Sequence, residues 1–426
     1  MTTYSAVRTT GIYCRPGCGA KPLAENVRTF ELPAAAEAAG YRACLRCRPY
    51  RVAGTVADDA PELVCRAVQL IIAGVLDESG EAALGARLGL SARHLRRMFH
   101  EHLGVTPDQF ARSRRAHFAR RLLDDSELGI ADIAFAAGFG SLRQFNRAMQ
   151  EVFRASPREL RDRRRRTDRL VADGGLVLRL PYTPPYDWDA MSAYLAERAI
   201  PGVESVEDGI YRRTIALDGD PGLLEIGPGG SDHLLLRAHL PYWEGVIHVV
   251  DRAARLVGLD AEPVLAKTLL SGDPVIGPLI AARPGVRVPG AWGPFEVAVQ
   301  AVVRDQLPRD DAYDVLHKLV EVHGMPVPGL SHSLTRAFPG PQALTEAELV
   351  GPLAREVAAG NVVLDGGEDA EALIASLEAV PGVSTKAAHH VAMRLGARDA
   401  WPFDDDAERL RPWRSLAAVH RVLSDS

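Results

Sequence analysis

The chain has 426 residues, enough for two to four domains, and its 47% hydrophobic and 25% charged residues are typical of a globular protein. It has neither an apolar run of 18 residues nor a secretory N-terminal pattern, which argues against a membrane or secreted protein and favours the cytosol. The net charge of −5 combines a basic front (28 Lys and Arg against 19 Asp and Glu in residues 1–170) with an acidic rear (22 against 36), so nucleic acid is expected to bind mainly at the front.

The first feature along the chain is a group of four cysteines within 47 residues, arranged as two close pairs, Cys14 with Cys18 and Cys44 with Cys47. Two such pairs can each supply two ligands to one tetrahedral Zn²⁺, and in a reducing compartment metal is favoured over disulfides. Four thiolates on one Zn²⁺ leave a net charge near −2, which keeps sulfur nucleophilic. The spacing alone leaves open whether this zinc site is purely structural or chemically reactive.

The residues around these cysteines form longer recognisable motifs. Thr-Thr-Gly-Ile-Tyr-Cys-Arg-Pro-Gly-Cys over residues 9–18 and Gly-Tyr-Arg-Ala-Cys-Leu-Arg-Cys-Arg-Pro over residues 40–49 closely resemble the Ada family of bacterial sensors of DNA methylation damage. This resemblance implies that Cys14 is both a zinc ligand and the acceptor of a methyl group from a DNA methylphosphotriester.

After a predicted linker, Val52–Ala60, the apolar spacing indicates helices from about residue 61 to 160, closed by the charged run Arg161–Arg166. Two helix-turn-helix units are predicted in this region. Ala82–Leu103 has Gly89 at its turn and Ser91 as the cap of the second helix, and Ile130–Phe153 has Gly138 and Ser141 in the same roles.

The second helix of each unit is the expected DNA-reading helix, because its guanidinium and amide groups can reach base edges in the major groove. In the second unit, Leu142, Phe145 and Ala148 are expected to face the core. The side chains predicted to contact DNA are Arg93, Arg96, Arg97, Arg143, Gln144 and Arg147. The alternative is a helical bundle with an arginine-rich solvent face.

The residues Ala136-Ala137-Gly138-Phe139-Gly140-Ser141, followed by Phe145-Asn146-Arg147 and Ser156-Pro157, resemble the signature of AraC-type regulators. A zinc sensor followed by an AraC-type domain is the arrangement of the Ada family, so the two resemblances support each other. Together they imply that the chain binds operator DNA, and RNA polymerase is a further candidate partner.

The rear half begins with a sheet-plus-helix pattern. Strands are predicted at Gly175–Leu180, Gly209–Ile215 and His233–Ala238, with an amphipathic helix at Trp188–Ala199. From about residue 250 the chain is predicted to be helical, and Leu377–Arg394 is predicted to form a helix-hairpin-helix. The amides at its Pro-Gly turn, including that of Gly382, could bind a DNA phosphate.

Three motifs in this half, at residues 287–296, 380–383 and 411–415, resemble the AlkA-type 3-methyladenine DNA glycosylases. The resemblance implies base flipping and a catalytic aspartate after a Trp-Pro word, and the spacing from Pro402 favours Asp405 over Asp404 and Asp406. A solvated acidic loop is the alternative. The family pattern is broken by the residues Ser384, Lys386, His390 and Val422, and Lys386 would repel a cationic alkylpurine. The second hypothesis is therefore a zinc-dependent DNA-binding regulator with a degenerate, inactive glycosylase domain.

The predicted fold is a multidomain α+β protein with Zn²⁺ as its cofactor and with double-stranded operator DNA and alkylated DNA as its partners, without a membrane. Its predicted parts are a small four-cysteine zinc domain (1–52), an all-α double helix-turn-helix domain (61–166), an AlkA-like sheet-plus-helix subdomain (172–250) and a helical subdomain with the helix-hairpin-helix (251–426).

Overall fold

The computed structural model of the chain describes residues 3–20, 22–51, 60–164, 170, 175–260, 263–327, 329–364 and 369–424. Residues 52–59 of the predicted linker and the last two arginines of the run Arg161–Arg166 lie outside the described residues. The chain divides into two compact units, one of residues 1–183 and 242–251, the other of residues 184–241 and 252–426. No helix within the described ranges is both long enough and apolar enough to cross a membrane.

A four-stranded sheet opens the first unit. Its strands are β1 (Tyr4–Val7), β2 (Ile12–Cys14), β3 (Val27–Phe30) and β4 (Arg42–Ala43), in the spatial order β3-β1-β2-β4. β1 runs antiparallel to β2 and β3, whereas β2 and β4 are parallel. The amide of Cys44 donates to the carbonyl of Tyr13 at 3.0 Å, so this pairing brings the two cysteine-bearing segments together. The short helix α1 (Pro33–Ala38) packs against the sheet.

The first unit continues as a set of helices. They are α2 (Glu62–Ile72), α3 (Val75–Glu78), α4 (Glu81–Arg87), α5 (Ala92–Leu103), α6 (Pro107–Asp125), α7 (Ile130–Ala136), α8 (Leu142–Phe153) and α9 (Pro157–Asp162). The pairs α4/α5 and α7/α8 confirm the two predicted helix-turn-helix units. Ser91 and Ser141 cap α5 and α8 by accepting the amide protons of His94 and Gln144, each at 3.3 Å.

The turn of the first helix-turn-helix needs a close approach between its two helices. A Cβ atom at Gly85 would lie 2.5 Å from the carbonyl oxygen of Leu90, which no side chain could tolerate. Behind this turn, Leu95 and Phe99 are completely buried in a core shared with α2. The alternation of buried and exposed positions along α5 therefore leaves its arginines on the outer face.

The second unit contains an antiparallel sheet. Strand β5 (Leu176–Pro181) still belongs to the first unit, and the helix α10 (Trp188–Glu197) begins the second. The strands of the second unit are β6 (Glu204–Glu207), β7 (Ile210–Leu217), β8 (Asp220–Pro228) and β9 (His233–His239), in the order β9-β8-β7-β6. The predicted strands correspond to β5, β7 and β9, and the predicted helix to α10, whereas β6 and β8 had not been predicted.

The remaining elements are mainly helical, as predicted. They are α11 (Val246–Leu256), α12 (Val264–Leu270), α13 (Ile276–Ala282), α14 (Pro294–Gln306), α15 (Arg309–His323), the short strands β10 (Met325–Pro326) and β11 (Arg336–Ala337), α16 (Gly351–Ala358), α17 (Ala370–Glu378), α18 (Thr385–Arg394) and α19 (Arg414–Ser424). Apart from α11, which begins in the first unit, these elements belong to the second unit. The helices α17 and α18 form the predicted hairpin, and both pack into the core of the second unit around α14.

Candidate metal centre, DNA-reading helices and glycosylase-like site

Three of the four predicted zinc ligands converge in the first unit, and the fourth, Cys44, lies outside this group of sulfurs. The sulfurs of Cys14, Cys18 and Cys47 lie within 4.8 Å of one another. The sulfur of Cys44 accepts the amide proton of Cys47 at 3.5 Å, and hydrogen bonding with the thiols of Cys44 and Cys47 raises the pKa of Cys14. None of these cysteines forms a disulfide.

This donor set fits zinc. A tetrahedral Zn²⁺ with Zn–S bonds of about 2.3 Å holds its ligand sulfurs about 3.8 Å apart, which lies within the 4.8 Å limit that contains the three grouped sulfurs. Cys14 ends β2 and is buried, and Cys44 directly follows β4, so the sheet positions one ligand of each pair.

The side chains predicted to contact DNA lie on exposed faces of α5 and α8, but they differ in whether they form ion pairs within the fold. Arg93, Arg143 and Gln144 are exposed. Arg147 forms an ion pair with Glu151 at 2.8 Å, one turn further along α8.

On α5, Arg96 forms an ion pair with Glu81 of α4, and Arg97 lies 3.5 Å from Nδ1 of His94. Phe145 and Ala148 are buried as predicted. The prediction for Leu142 was wrong, because this side chain is 43% exposed. Leu142 is the first residue of α8, where no preceding turn covers it.

The turn of the hairpin in the second unit contains a glycine in the left-handed region of backbone conformation. Gly382 has φ of +87°, a conformation natural to glycine, and its carbonyl accepts a hydrogen bond from Nε2 of Gln306 at 2.7 Å. Ser384, which replaces a family glycine, caps α18 by accepting the amide proton of Ala387 at 3.1 Å. The substitution therefore keeps the start of α18 intact.

The three consecutive aspartates have different partners. Asp404 pairs with Lys386 at 2.5 Å, and Asp406 accepts the amide proton of Glu408 at 2.9 Å. Asp405 accepts two hydrogen bonds from Arg421, at 2.8 and 2.7 Å, and this contact lowers the pKa of Asp405. Asp405 is therefore an ionised carboxylate on the surface of the second unit.

Aromatic rings flank this carboxylate. The rings of Trp401 and Phe403 lie 4.8 Å apart, and the Trp401 indole N–H donates to the carbonyl of Asp405 at 2.8 Å. The Arg421 guanidinium lies 4.3 Å from the centre of the Phe403 ring and 5.6 Å from that of Trp401. Burial, and then nearby Arg394, hold the pKa of His390 well below its usual range, so this replacement for a family tyrosine is neutral.

Sequence reasoning missed Arg421 and a set of contacts between the metal-binding segment and α6. Arg421 lies 16 residues beyond Asp405 on a different element, a distance at which no periodicity applies. The contacts on α6 centre on Asp124, which is fully buried. The sequence feature that could have indicated these contacts is a pair of aspartates, Asp124 and Asp125, at the end of an arginine-rich helix.

This fold defines a class of protein: a DNA-binding regulator with a cysteine metal centre near its N-terminus and a glycosylase-like unit in its C-terminal half. Three family models match the chain, the metal-binding domain of Ada over residues 2–50, a helix-turn-helix domain over residues 84–163, and the AlkA N-terminal domain over residues 177–293. The metal-binding match and the cysteine cluster identify zinc as the cofactor.

Relatives that align with nearly the whole chain support the same class. A Mycobacterium tuberculosis protein described as a probable bifunctional transcriptional activator/DNA repair enzyme AlkA is 36% identical, and the alignment covers 97% of this chain and 91% of the relative. This chain therefore belongs to the family of bifunctional transcriptional activator/DNA repair enzymes.

Relatives of each half are more distant. Escherichia coli DNA-3-methyladenine glycosylase 2 is 29% identical over 57% of this chain and 95% of its own length. The E. coli bifunctional transcriptional activator/DNA repair enzyme Ada is 32% identical over 37% of this chain and 43% of its own length.

Proposed function

We propose that this chain senses DNA methylation damage through Cys14, regulates transcription through its two DNA-reading helices, and removes alkylated purines through Asp405. The observation that carries the sensor function is the convergence of three cysteine sulfurs within 4.8 Å, with Cys14 at the end of a sheet strand. We propose Cys14, Cys18, Cys44 and Cys47 as the zinc ligands. Zinc bound there would hold the thiolates deprotonated at neutral pH and thus keep Cys14 nucleophilic.

In the sensor reaction, the Cys14 thiolate attacks the methyl carbon of a DNA methylphosphotriester. A sulfur–carbon bond forms, the carbon–oxygen bond breaks, and its electron pair stays on oxygen to restore an anionic phosphodiester. Methylation removes one negative charge from a site whose four thiolates otherwise leave about −2 with zinc. The weaker repulsion of phosphate would strengthen DNA binding at the basic front of the chain.

Mass spectrometry with peptide mapping tests the sensor. The full chain is incubated with methylated duplex DNA, and we expect one methyl group on the peptide that contains Cys14. The chain offers Cys65 as an internal control, because this cysteine lies on α2, outside the group of converging sulfurs, and should remain unmodified. Absence of the adduct on Cys14 in zinc-loaded protein would refute the sensor function.

In the glycosylase reaction, the base is flipped out of the duplex and its bond to the sugar breaks, with the electron pair neutralising the cationic purine. The Asp405 carboxylate would stabilise the positive charge on the sugar until water adds to it and loses a proton. The low pKa of Asp405 supports this role, because the carboxylate is ionised at neutral pH.

Release of 3-methyladenine from alkylated DNA tests this half. We expect the full chain to release the base, Asp405→Asn to lose the activity, and Asp404→Asn and Asp406→Asn to retain it. The competing proposal is a regulator with an inactive glycosylase domain, and it is favoured by Lys386, which places a cation beside the candidate site. If the wild-type chain binds alkylated DNA but releases no base, that second proposal holds.

Two finer proposals concern the cellular setting. The activator function named for the mycobacterial relative suggests RNA polymerase as a partner. Four reduced cysteines grouped for metal binding suggest the cytosol, where thiols stay reduced. We retain the four domain ranges predicted from the sequence, 1–52, 61–166, 172–250 and 251–426, as part of this proposal.

A further inference from the structure

Helix α6 joins the two helix-turn-helix units, and it also receives the metal-binding segment. The residues that follow the last predicted zinc ligand, Cys47, lie directly against the end of α6. Asp124 on this helix is completely buried, and buried carboxylates are stable only where hydrogen bonds and cations replace water.

Asp124 is contacted both by residues of the metal-binding segment and by a residue of α6. Tyr50 donates its hydroxyl proton to Asp124 at 2.8 Å, and guanidinium nitrogens of Arg51 and Arg48 lie 3.4 and 3.6 Å from the same carboxylate. Arg120, one turn earlier on α6, lies 2.7 Å from its other oxygen. Arg48 is the residue next to Cys47, so the cluster begins one residue from a predicted ligand.

A second contact starts beside Cys14. Tyr13 is buried and donates its hydroxyl proton to Glu37 at 2.6 Å. Nε2 of His117, on α6, lies 2.7 Å from the same carboxylate oxygen and 3.0 Å from the Tyr13 hydroxyl. Both cysteine-bearing segments are thus hydrogen-bonded to one helix.

The same helix contacts the second DNA-reading helix. Arg112 of α6 forms an ion pair with Glu151 of α8 at 3.1 Å, and Glu151 also binds Arg147. The Phe153 ring at the end of α8 lies 5.9 Å from the Tyr50 ring and 5.7 Å from the His117 ring. Tyr50 therefore contacts both α6 and α8.

We propose that α6 transmits the state of the metal centre to the DNA-reading helix α8, with Tyr50 and Asp124 as the positioning residues of this coupling. Loss of zinc loosens the segment that carries Cys47, the Tyr50 contacts weaken, and the end of α8 becomes less ordered. Methylation of Cys14 acts on the same segments through Tyr13; this part of the inference rests on the proposed sensor function.

The first experiment measures coupling without any methyl transfer. Amide hydrogen exchange over Leu142–Phe153 is followed in the full chain, zinc-loaded and after chelation. In the wild type, zinc removal should speed exchange at the end of α8 at least severalfold. Tyr50→Phe, which keeps the ring and removes the hydroxyl, should exchange faster than the wild type when zinc is present and respond less than half as strongly to chelation.

The controls separate coupling from simple destabilisation. Asp310→Asn, an exposed aspartate on α15, should behave as the wild type. Asp124→Asn is the stronger perturbation, and Tyr50→Phe decides the question if Asp124→Asn does not fold. Unchanged exchange on chelation of the wild type, or an equal response in Tyr50→Phe, overturns the coupling.

The second experiment measures operator affinity before and after methylation. The ratio of the two affinities should fall at least threefold in Tyr50→Phe, while zinc content and methyl uptake stay at the wild-type level. If the wild type takes up no methyl group, the sensor function fails, but the exchange experiment still decides the coupling. An unchanged ratio in a variant that takes up methyl normally counts against Tyr50 as a positioning residue.

Discussion

Arg421 occupies the groups that a cationic substrate of Asp405 would need. Its guanidinium neutralises the carboxylate with two hydrogen bonds and covers the Phe403 ring at 4.3 Å. An alkylated purine is a cation, and cations bind to carboxylates and to aromatic faces. Replacing Arg421 by glutamine should therefore raise the rate of base excision, because the substrate no longer competes with an internal cation.

The size of the expected rate increase follows from how exposed the Arg421–Asp405 ion pair is. The side chains of Arg421 and Asp405 are 36% and 56% exposed, so their ion pair contributes at most about 1 kcal/mol. The stacking of the guanidinium on Phe403 adds about 0.5–1 kcal/mol at an exposed site. Displacing both contacts costs about 1–2 kcal/mol, which corresponds to roughly a 5- to 30-fold faster excision step in Arg421→Gln.

Single-turnover release of 3-methyladenine at saturating protein isolates this step from DNA binding. Arg409→Gln is the matched control, because Arg409 is another half-exposed arginine with one carboxylate partner, Asp273 at 2.7 Å. The double variant Arg421→Gln, Asp405→Asn should be inactive. A rate for Arg421→Gln at or below that of the wild type would show that Arg421 does not compete with the substrate.

Arg421→Gln should also change the pH dependence of the excision rate. Arg421 lowers the pKa of Asp405, so in the wild type the carboxylate stays ionised as the pH falls. In the variant, the excision rate should therefore begin to fall at a higher pH. Glu296→Gln removes one of the two carboxylates that bind the buried Arg213, the other being Glu204 at 3.1 Å, and we expect denaturant unfolding to show a loss of about 1–3 kcal/mol; an unchanged free energy of unfolding would mean that Glu204 alone satisfies Arg213. Burial lowers the pKa of His420 to about 4, so below about pH 6.5 the unfolded chain binds more protons than the folded chain. The free energy of unfolding should therefore fall by up to about 3 kcal/mol as the pH is lowered from 6.5 to 4. Unfolding of His420→Leu should depend less on pH over this range, and an identical slope would exclude His420 as the cause. Gly382→Ala forces a side chain into a backbone with φ of +87°, which should cost about 1–2 kcal/mol and weaken the affinity for duplex DNA in a fluorescence titration; unchanged affinity would mean that the hairpin does not bind phosphate.

The helix-turn-helix units were predictable because their signals are local. Ser141 caps α8 and Gly138 takes φ of +78° at the turn, so a few residues define where one helix ends and the next begins. Burial within these helices was less certain. Leu142 is apolar and fits the inward periodicity, but a residue in the first turn has no turn beneath it, and its side chain projects into solvent.

The strands β6 and β8 were not predicted because their own sequences do not favour a strand. β6 is the short polar segment Glu204–Glu207, and β8 contains Gly222, Gly227 and two prolines. Each is held by its neighbour, as in the pairing of Val206 with Tyr211 and of Ile226 with Leu236. Such pairing depends on register across the sheet rather than on the propensity of the segment.

The zinc cluster and the Asp405 site also differ in how far the sequence alone could predict them. The zinc cluster could be predicted because four cysteines at close spacing have few other uses in a reducing compartment. The choice of Asp405 among three aspartates rested on spacing alone, and the spacing could not include Arg421, which another element brings to it. Sequence spacing locates a site made of one segment, whereas the charge state of a site depends on what the fold places beside it.

The charge of the front half illustrates this dependence. Its formal excess of positive charge indicates nucleic acid, but the fold decides which of its arginines reach the surface. Three of them, Arg48, Arg51 and Arg120, surround the fully buried Asp124, so their guanidinium groups stabilise the fold rather than form a DNA-facing surface. Arg93 and Arg143 are instead exposed on α5 and α8, where the predicted DNA contacts lie. Under the proposed sensor function, methylation of Cys14 removes one unit of negative charge from the metal centre, so the field that DNA meets at these helices becomes more positive.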